Sequence, residues 1–171
     1  MSNEIVLARV VEVNTVKGVK IARVKVLETY KGKGVNELLF LAQPTWTCDI
    51  AEAVKGETAL LFLTTYVGGR DIFGRLPTRK ELEGAGIRQP MFLIPDSGRG
   101  RMPLREIRGE RYLTVWVTDV RLPALMPTIS GPEPKYTFIR SVPLNQIENL
   151  LGSSGDAKQI LGSKSSIAQA P

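Results

Sequence analysis

The side chains best suited to binding a charged ligand are arginines in the second half of the chain. Residues 70–111 contain ten Lys/Arg and six Asp/Glu, an excess of four out of a net charge of +6. Guanidinium groups bind carboxylates and phosphates through paired hydrogen bonds. Gly98, Gly100 and Pro103 interrupt this stretch, which predicts a loop, the usual place for recognition residues. The candidate ligand-binding residues are Arg99, Arg101, Arg105 and Arg108.

Three interpretations of these arginines remain open. The first is a site for an acidic protein or polysaccharide, and the second is a site for single-stranded nucleic acid. Nucleic acid is less favoured because aromatic residues make up only 6% of the chain. The third is a solvated loop paired internally with Glu106 and Glu110. In the first case, alanine at 99, 101 and 105 should abolish binding to the acidic partner and leave the melting temperature nearly unchanged.

The residue types that are missing exclude most catalytic and metal chemistry. The chain has no histidine and one cysteine, Cys48. Histidine triads, histidine metal sites and an internal disulfide are therefore impossible within one chain. Asp49 and Glu52 near Cys48 oppose thiolate formation, which indicates a structural cysteine. We expect no catalytic residue, no metal site and no cofactor, and hence a protein that is not an enzyme.

The elements that must position these side chains are mainly strands. The clearest two-residue alternation predicts that Val24 and Val26 are buried while Arg23 and Lys25 are exposed. Similar patterns predict strands at 6–13, 22–26, 38–42, 58–64, 111–122 and 136–142, with a short edge strand at 91–94 between two prolines.

Two helices and one domain complete this interpretation. Thr78 and Glu81 have the spacing of a capping box, which predicts a short helix. Pro143 and Gly152 are typical of the start and end of a second helix. Residues 1–152 are predicted to form a single domain with an irregular insertion at 66–103, and residues 153–171 a flexible tail.

The order of these motifs resembles a known family. A Val-rich strand at 6–13 precedes Ala22 to Glu28, then Tyr30-Lys31-Gly32, Cys48, Gly56-Glu57 and Leu60 to Phe62. Over residues 5–63 this series resembles the netrin-module family, which includes the tissue inhibitors of metalloproteinases and bacterial relatives. The resemblance implies an all-β fold, an OB-like five-stranded antiparallel barrel with a long irregular insertion and one or two short helices. It also implies a non-enzymatic binding or protein-interaction module.

One departure from that family limits what the resemblance implies. The inhibitors chelate a protease zinc through an N-terminal cysteine, whereas this chain begins Met1-Ser2-Asn3-Glu4. The inhibitory chemistry therefore has no counterpart here. No apolar run reaches the roughly 20 residues needed to span a membrane. We expect an extracytoplasmic protein, periplasmic or secreted, whose leader has been removed; a cytoplasmic location is the alternative.

Overall fold

The computed structural model describes residues 2–16, 18–42, 52–68, 76–88, 91–94, 100–116, 122, 126–132 and 137–153. These ranges contain nine strands and two helices. In chain order they are β1 (Glu4–Val16), β2 (Val19–Lys31), β3 (Glu37–Leu41), β4 (Thr58–Thr65), α1 (Arg79–Gly84), β5 (Met91–Leu93), β6 (Arg101–Ile107), β7 (Glu110–Trp116), β8 (Ile129–Ser130), β9 (Ile139–Pro143) and α2 (Leu144–Ser153). The mainly β architecture predicted from alternation is confirmed.

The first five strands form a closed ring. Strand β1 pairs with β2 and β4, β2 pairs with β3, and β5 lies between β3 and β4. Apolar side chains from all five strands fill the interior, among them Val24, Phe40 and Leu61. As predicted, Val24 is fully buried and Arg23 and Lys25 are exposed, whereas Val26, which was predicted to be buried, is only partly buried. The alternation of apolar and polar residues along the long hairpin formed by β1 and β2 therefore determines which of its side chains fill the ring.

A second layer covers the outside of β1 and β4. Strand β6 pairs with β4 and continues the sheet through β7, β9 and β8. This layer and α2 bury the outward side chains of β1 and β4, such as Leu7 and Phe62, against Met102, Leu113 and Ile147. Because both faces of β4 are covered, its central residues form a continuous apolar run.

Helix α1 covers a different part of the ring. Leu82 of α1 packs with Ile21, Leu41 and Met91 on the outside of β2, β3 and β5. The predicted capping box is present: the Thr78 amide donates to Glu81 Oε2 at 2.6 Å, and the Thr78 hydroxyl accepts from the Glu81 amide. The sequence motif thus correctly located the start of this helix.

The arginine-rich stretch is a strand where a loop was predicted. Residues 101–107 form β6, with Met102 and Leu104 packed against the core of the second layer. Gly100 does not break the sheet, because its carbonyl accepts from the Phe62 amide at 2.8 Å and an added Cβ would lie 3.0 Å from the Phe62 oxygen. Pro103 takes its place in the β4–β6 register opposite Ala59. The close approach to β4, not turn formation, explains the glycine.

Two further predictions were wrong in detail. Residues 91–94 were predicted to form an edge strand, but β5 has β3 on one side and β4 on the other and so closes the ring. The five strands were predicted to be antiparallel, but β3 and β5 are parallel. A parallel neighbour requires a long connection between the two strands, and residues 42–90 supply it. Cys48, Arg99 and residues 154–171 of the predicted tail lie outside the described residues.

Candidate functional site

A cleft of about 590 Å³ opens at one end of the five-strand ring. It lies where β1 begins, where β4 ends, and beside the turn that joins β2 to β3. Its lining residues are Asn3, Glu4, Gly32, Lys33, Val35, Glu37, Leu38, Thr65 and Phe92. Because Leu38 and Phe92 also belong to the ring interior, the cleft is continuous with the apolar core.

Glu4 lies at the end of an apolar row of β1. In strand order Glu4 precedes Val6, Ala8 and Val10, which all point into the ring, and it pairs with Leu63 of the interior. Glu4 is only 5% exposed. Its carboxylate accepts from the backbone amide of Lys33, at 3.1 Å to Oε2 and 3.4 Å to Oε1. A buried carboxylate therefore lies at the open end of the ring interior.

The β2–β3 turn is shaped around this carboxylate. Gly32 has a φ of 119°, a conformation that glycine adopts readily and other residues rarely do. A Cβ added at Gly32 would overlap the carboxylate of Glu4. The glycine in the Lys31-Gly32-Lys33-Gly34 turn thus makes room for Glu4 while the next amide binds it.

The rim of the cleft is held by hydrogen bonds from the neighbouring strands. Asn3 Oδ1 accepts from the Thr65 amide at 2.7 Å, and the Asn3 amide donates to the Leu63 carbonyl at 2.7 Å. Glu37 on the opposite rim accepts from Arg23 at 3.4 Å and its side chain is 55% exposed. The cleft consequently presents two carboxylates of different character, a buried one and an exposed, paired one.

The lining residues combine apolar walls with a few polar groups. Thr65 carries the only hydroxyl among them, and its amide is bonded to Asn3. No group of three or more His, Cys, Asp or Glu side chains suited to a metal ion occurs in the described part of the chain. Apolar walls with a few polar groups are typical of ligand sites that orient their occupant.

The described arginines of the predicted binding site have different environments in the structure. Arg101 binds Glu57 through Nη2, 2.6 Å from both carboxylate oxygens, and the two side chains are 12% and 15% exposed. Arg101 therefore holds β6 to the start of β4, as the internal-pairing interpretation expected, although the partner is Glu57 and not Glu106 or Glu110.

Arg108 is exposed at the tip of the β6–β7 hairpin, where its φ is 55° and that of Gly109 is 83°. Positive φ at both residues is typical of a tight hairpin turn.

Arg105 differs from the other arginines. It lies on the face of β6 opposite Met102 and Leu104, directly across from Tyr112 of β7. One of its guanidinium nitrogens, Nη1, is buried and has no hydrogen-bond partner. Of the four predicted binding residues, Arg105 and Arg108 form no ion pair with another residue that the structure describes.

Sequence reasoning did not identify Glu4. The signal was available, because Glu4 occupies the position that the period of Val6, Ala8 and Val10 assigns to the ring interior. A charged residue at an inward position indicates a partner or a ligand. The matching glycine, Gly32, lies 28 residues away and is visible as a neighbour only in three dimensions.

Comparisons with protein-family models, with curated proteins and with solved structures gave no match to this chain. The resemblance to the netrin-module family stays a prediction. None of the described helices is long and apolar enough to cross a membrane.

Proposed function

We propose that the chain is a non-enzymatic binding module built on an OB-like barrel. Support for the barrel comes from the closed five-strand ring, in which β5 enters between β3 and β4 in a Greek-key order. OB folds are five-stranded Greek-key barrels whose exposed faces and loops bind ligands. The netrin-like resemblance and the extracytoplasmic location that it implies belong to the same proposal.

The observation that carries the proposal is the buried carboxylate of Glu4 in a cleft continuous with the ring interior. A volume of about 590 Å³ is within the range of sites for small molecules or single side chains. A polar group at the base of an apolar cleft orients the ligand, and contact with the apolar walls contributes binding affinity. We therefore assign the proposed ligand site to the ring-end cleft, and Arg105 and Arg108 of the predicted arginine stretch stay candidates for a second site.

A blocking substitution tests this assignment. Val35 lines the cleft and is 39% exposed, so Val35→Trp should fill the opening without disturbing the core. Val54 is 61% exposed and is not part of the cleft lining, which makes Val54→Trp the matched control. A fragment screen by ligand-observed NMR should give hits that Val35→Trp removes and Val54→Trp retains. Hits that survive Val35→Trp would place the ligand site elsewhere.

A second candidate function is single-stranded nucleic-acid binding on the outer face of β6 and β7. Tyr112 and Trp116 lie on the same face as Arg105, and Trp116 packs against Phe138 with ring centroids 5.2 Å apart. Aromatic side chains beside an arginine are typical of surfaces that stack bases. In the sequence, the exposed Arg23 and Lys25 of β2 have no aromatic neighbour. Tyr112 lies next to Arg105 only because β6 pairs with β7.

A salt titration separates the candidates that involve this face. Binding of an oligodeoxythymidine should weaken steeply with salt and should be lost in Trp116→Ala if bases stack there. Binding of heparin, a polyanion without bases, should be insensitive to Trp116→Ala and lost in Arg105→Ala if the partner is an acidic polysaccharide. Absence of both would leave the cleft as the binding site.

A further inference from the structure

We propose that the ring-end cleft selects a cationic group, an ammonium or a guanidinium carried on an apolar body, and that Glu4 is the residue that binds it. This inference rests on the proposed function and names the ligand chemistry of the same cleft.

The first argument is the charge balance at Glu4. A carboxylate offers about four acceptor positions, and the Lys33 amide occupies part of this capacity. No ammonium or guanidinium group forms an ion pair with Glu4 within the described ranges, and the hydrogen bonds from Lys33 come from its backbone amide. A buried carboxylate is costly unless its charge is compensated. The missing complement is a positive charge with hydrogen-bond donors.

The second argument is the position of Glu4 relative to the apolar walls. Leu38 and Phe92 of the ring interior line the same cleft as the carboxylate, and Val35 lies at its margin. A fully hydrated inorganic cation would gain nothing from these walls. An alkyl or aromatic amine, or the side chain of Lys or Arg in a peptide, matches both the charge and the apolar surface.

The third argument is the difference between the two carboxylates of the cleft. Glu37 is bonded to Arg23 and is mostly exposed, so its charge is already compensated and screened by water. Glu4 is buried and bonded to one amide. Discrimination between a cationic and a neutral ligand must therefore depend mainly on Glu4.

Glu4 also fixes the β2–β3 turn, and the test must separate this role from ligand selection. Glu4→Gln retains a side-chain oxygen that accepts from the Lys33 amide but removes the charge. Glu37→Gln is the matched control, since it removes one charge from the rim of the same cleft. Thermal melting of both variants checks that the turn is intact.

The experiment compares three probes of the same shape: benzylamine, benzyl alcohol and benzoate. Each is titrated into the full chain while the Lys33 amide and the Leu38 methyl signals are followed by NMR. We expect benzylamine to bind about tenfold more tightly than benzyl alcohol, the ratio that one charge-assisted hydrogen bond gives, and benzoate not to bind. Glu4→Gln should remove this preference and Glu37→Gln should preserve it.

Acetyl-lysine amide with its free side-chain ammonium serves as the peptide arm, and tighter binding than benzylamine would identify a peptide as the source of the cation.

The outcomes distinguish this inference from the proposed function. Equal binding of benzylamine and benzyl alcohol in the wild-type protein, or an unchanged preference in Glu4→Gln, would overturn cation selection and leave the cleft as a ligand site. Failure of every probe to shift the cleft signals would contradict both. Should Glu4→Gln not fold, the wild-type comparison of the three probes still decides whether the cleft selects a cation. A preference for benzylamine without a shift of the Lys33 amide, which donates to Glu4, would overturn Glu4 as the binding residue.

Discussion

At the scale of single residues, the pair formed by Glu4 and Gly32 determines the shape of the ring end. The Glu4 carboxylate occupies the space that a side chain at position 32 would need, and the following amide binds it. The turn and the first residue of β1 are thus mutually dependent, although they are far apart in sequence.

Alanine substitutions at two glycines of this turn test the dependence. We expect Gly32→Ala to destabilise the protein by about 3 kcal/mol, because it combines an unfavourable φ with displacement of a buried carboxylate. Gly34→Ala, at a φ of 65° with no neighbour within 4 Å, should cost about 1 kcal/mol from conformation alone. Urea denaturation measures both values. Equal losses in the two variants would show that contact with Glu4 does not constrain position 32.

The ion pair of Arg101 and Glu57 reverses an expectation drawn from the sequence. Arginines on a loop should be replaceable without loss of stability, but Arg101 is bonded to a carboxylate in a largely buried setting. We expect Arg101→Met to cost about 3 kcal/mol, since it leaves the Glu57 charge buried without its partner. Arg108→Ala, at the exposed hairpin tip, should change the free energy of unfolding by less than about 0.5 kcal/mol.

A double variant checks the origin of this loss. In Arg101→Met with Glu57→Gln, the unpaired charge of Glu57 is removed as well, and most of the lost stability should return. If the double variant is as unstable as Arg101→Met alone, the arginine acts through packing and not through its ion pair.

At the scale of elements, the sequence predicted best where one face of a strand is buried and the other is exposed. Alternation revealed the ring segments of β1 and β2, and β3 and β4 were visible as short apolar runs between turn residues. Strand β6 was missed because its positions facing away from the core of the second layer carry Arg101, Pro103 and Arg105, and because Gly100 was interpreted as a turn signal. The close approach of β6 to Phe62, which requires that glycine, is a tertiary contact that the local sequence does not reveal.

The contact between β2 and α2 is a second tertiary feature that the sequence did not reveal. The Tyr30 hydroxyl donates to Glu148 Oε1 at 2.9 Å, and its ring packs against the core of the second layer. Burial, followed by the hydrogen bond to Glu148, raises the pKa of Tyr30 above its ordinary value. This bond connects the end of the long hairpin to the C-terminal helix.

Removing the Tyr30 hydroxyl should lower the free energy of unfolding by an amount that depends on pH. We expect Tyr30→Phe to cost about 1 kcal/mol at neutral pH, the usual contribution of one hydrogen bond. A raised folded-state pKa contributes stability below the ordinary tyrosine pKa near 10, and this stability is lost as the pH rises further. Denaturation at pH 7 and at pH 11 should therefore show a difference between wild type and variant that shrinks at the higher pH. A difference independent of pH would mean that the hydroxyl does not titrate differently in the two states.

At the scale of the whole molecule, the second layer and helix α1 cover different parts of the outside of the five-strand ring, and a cleft opens at one end of it. The sequence indicated a β-rich chain with a central group of strands and two helices. It assigned binding to the arginines because charge surplus is visible in composition, whereas a cleft is not. To predict a buried acid at the end of the ring, one must know which strands close the ring. That closure depends on the parallel pairing of β3 and β5.

The central claim is that ligands enter the ring-end cleft, and chemical-shift mapping with benzylamine on the isotope-labelled full chain tests it most directly. We expect the largest backbone shifts at Lys33, Leu38, Thr65 and Phe92, which surround the cleft, and no comparable shifts at Arg105 or Arg108. Shifts concentrated on the β6–β7 hairpin, or spread evenly over the surface with none at the cleft, would contradict the account.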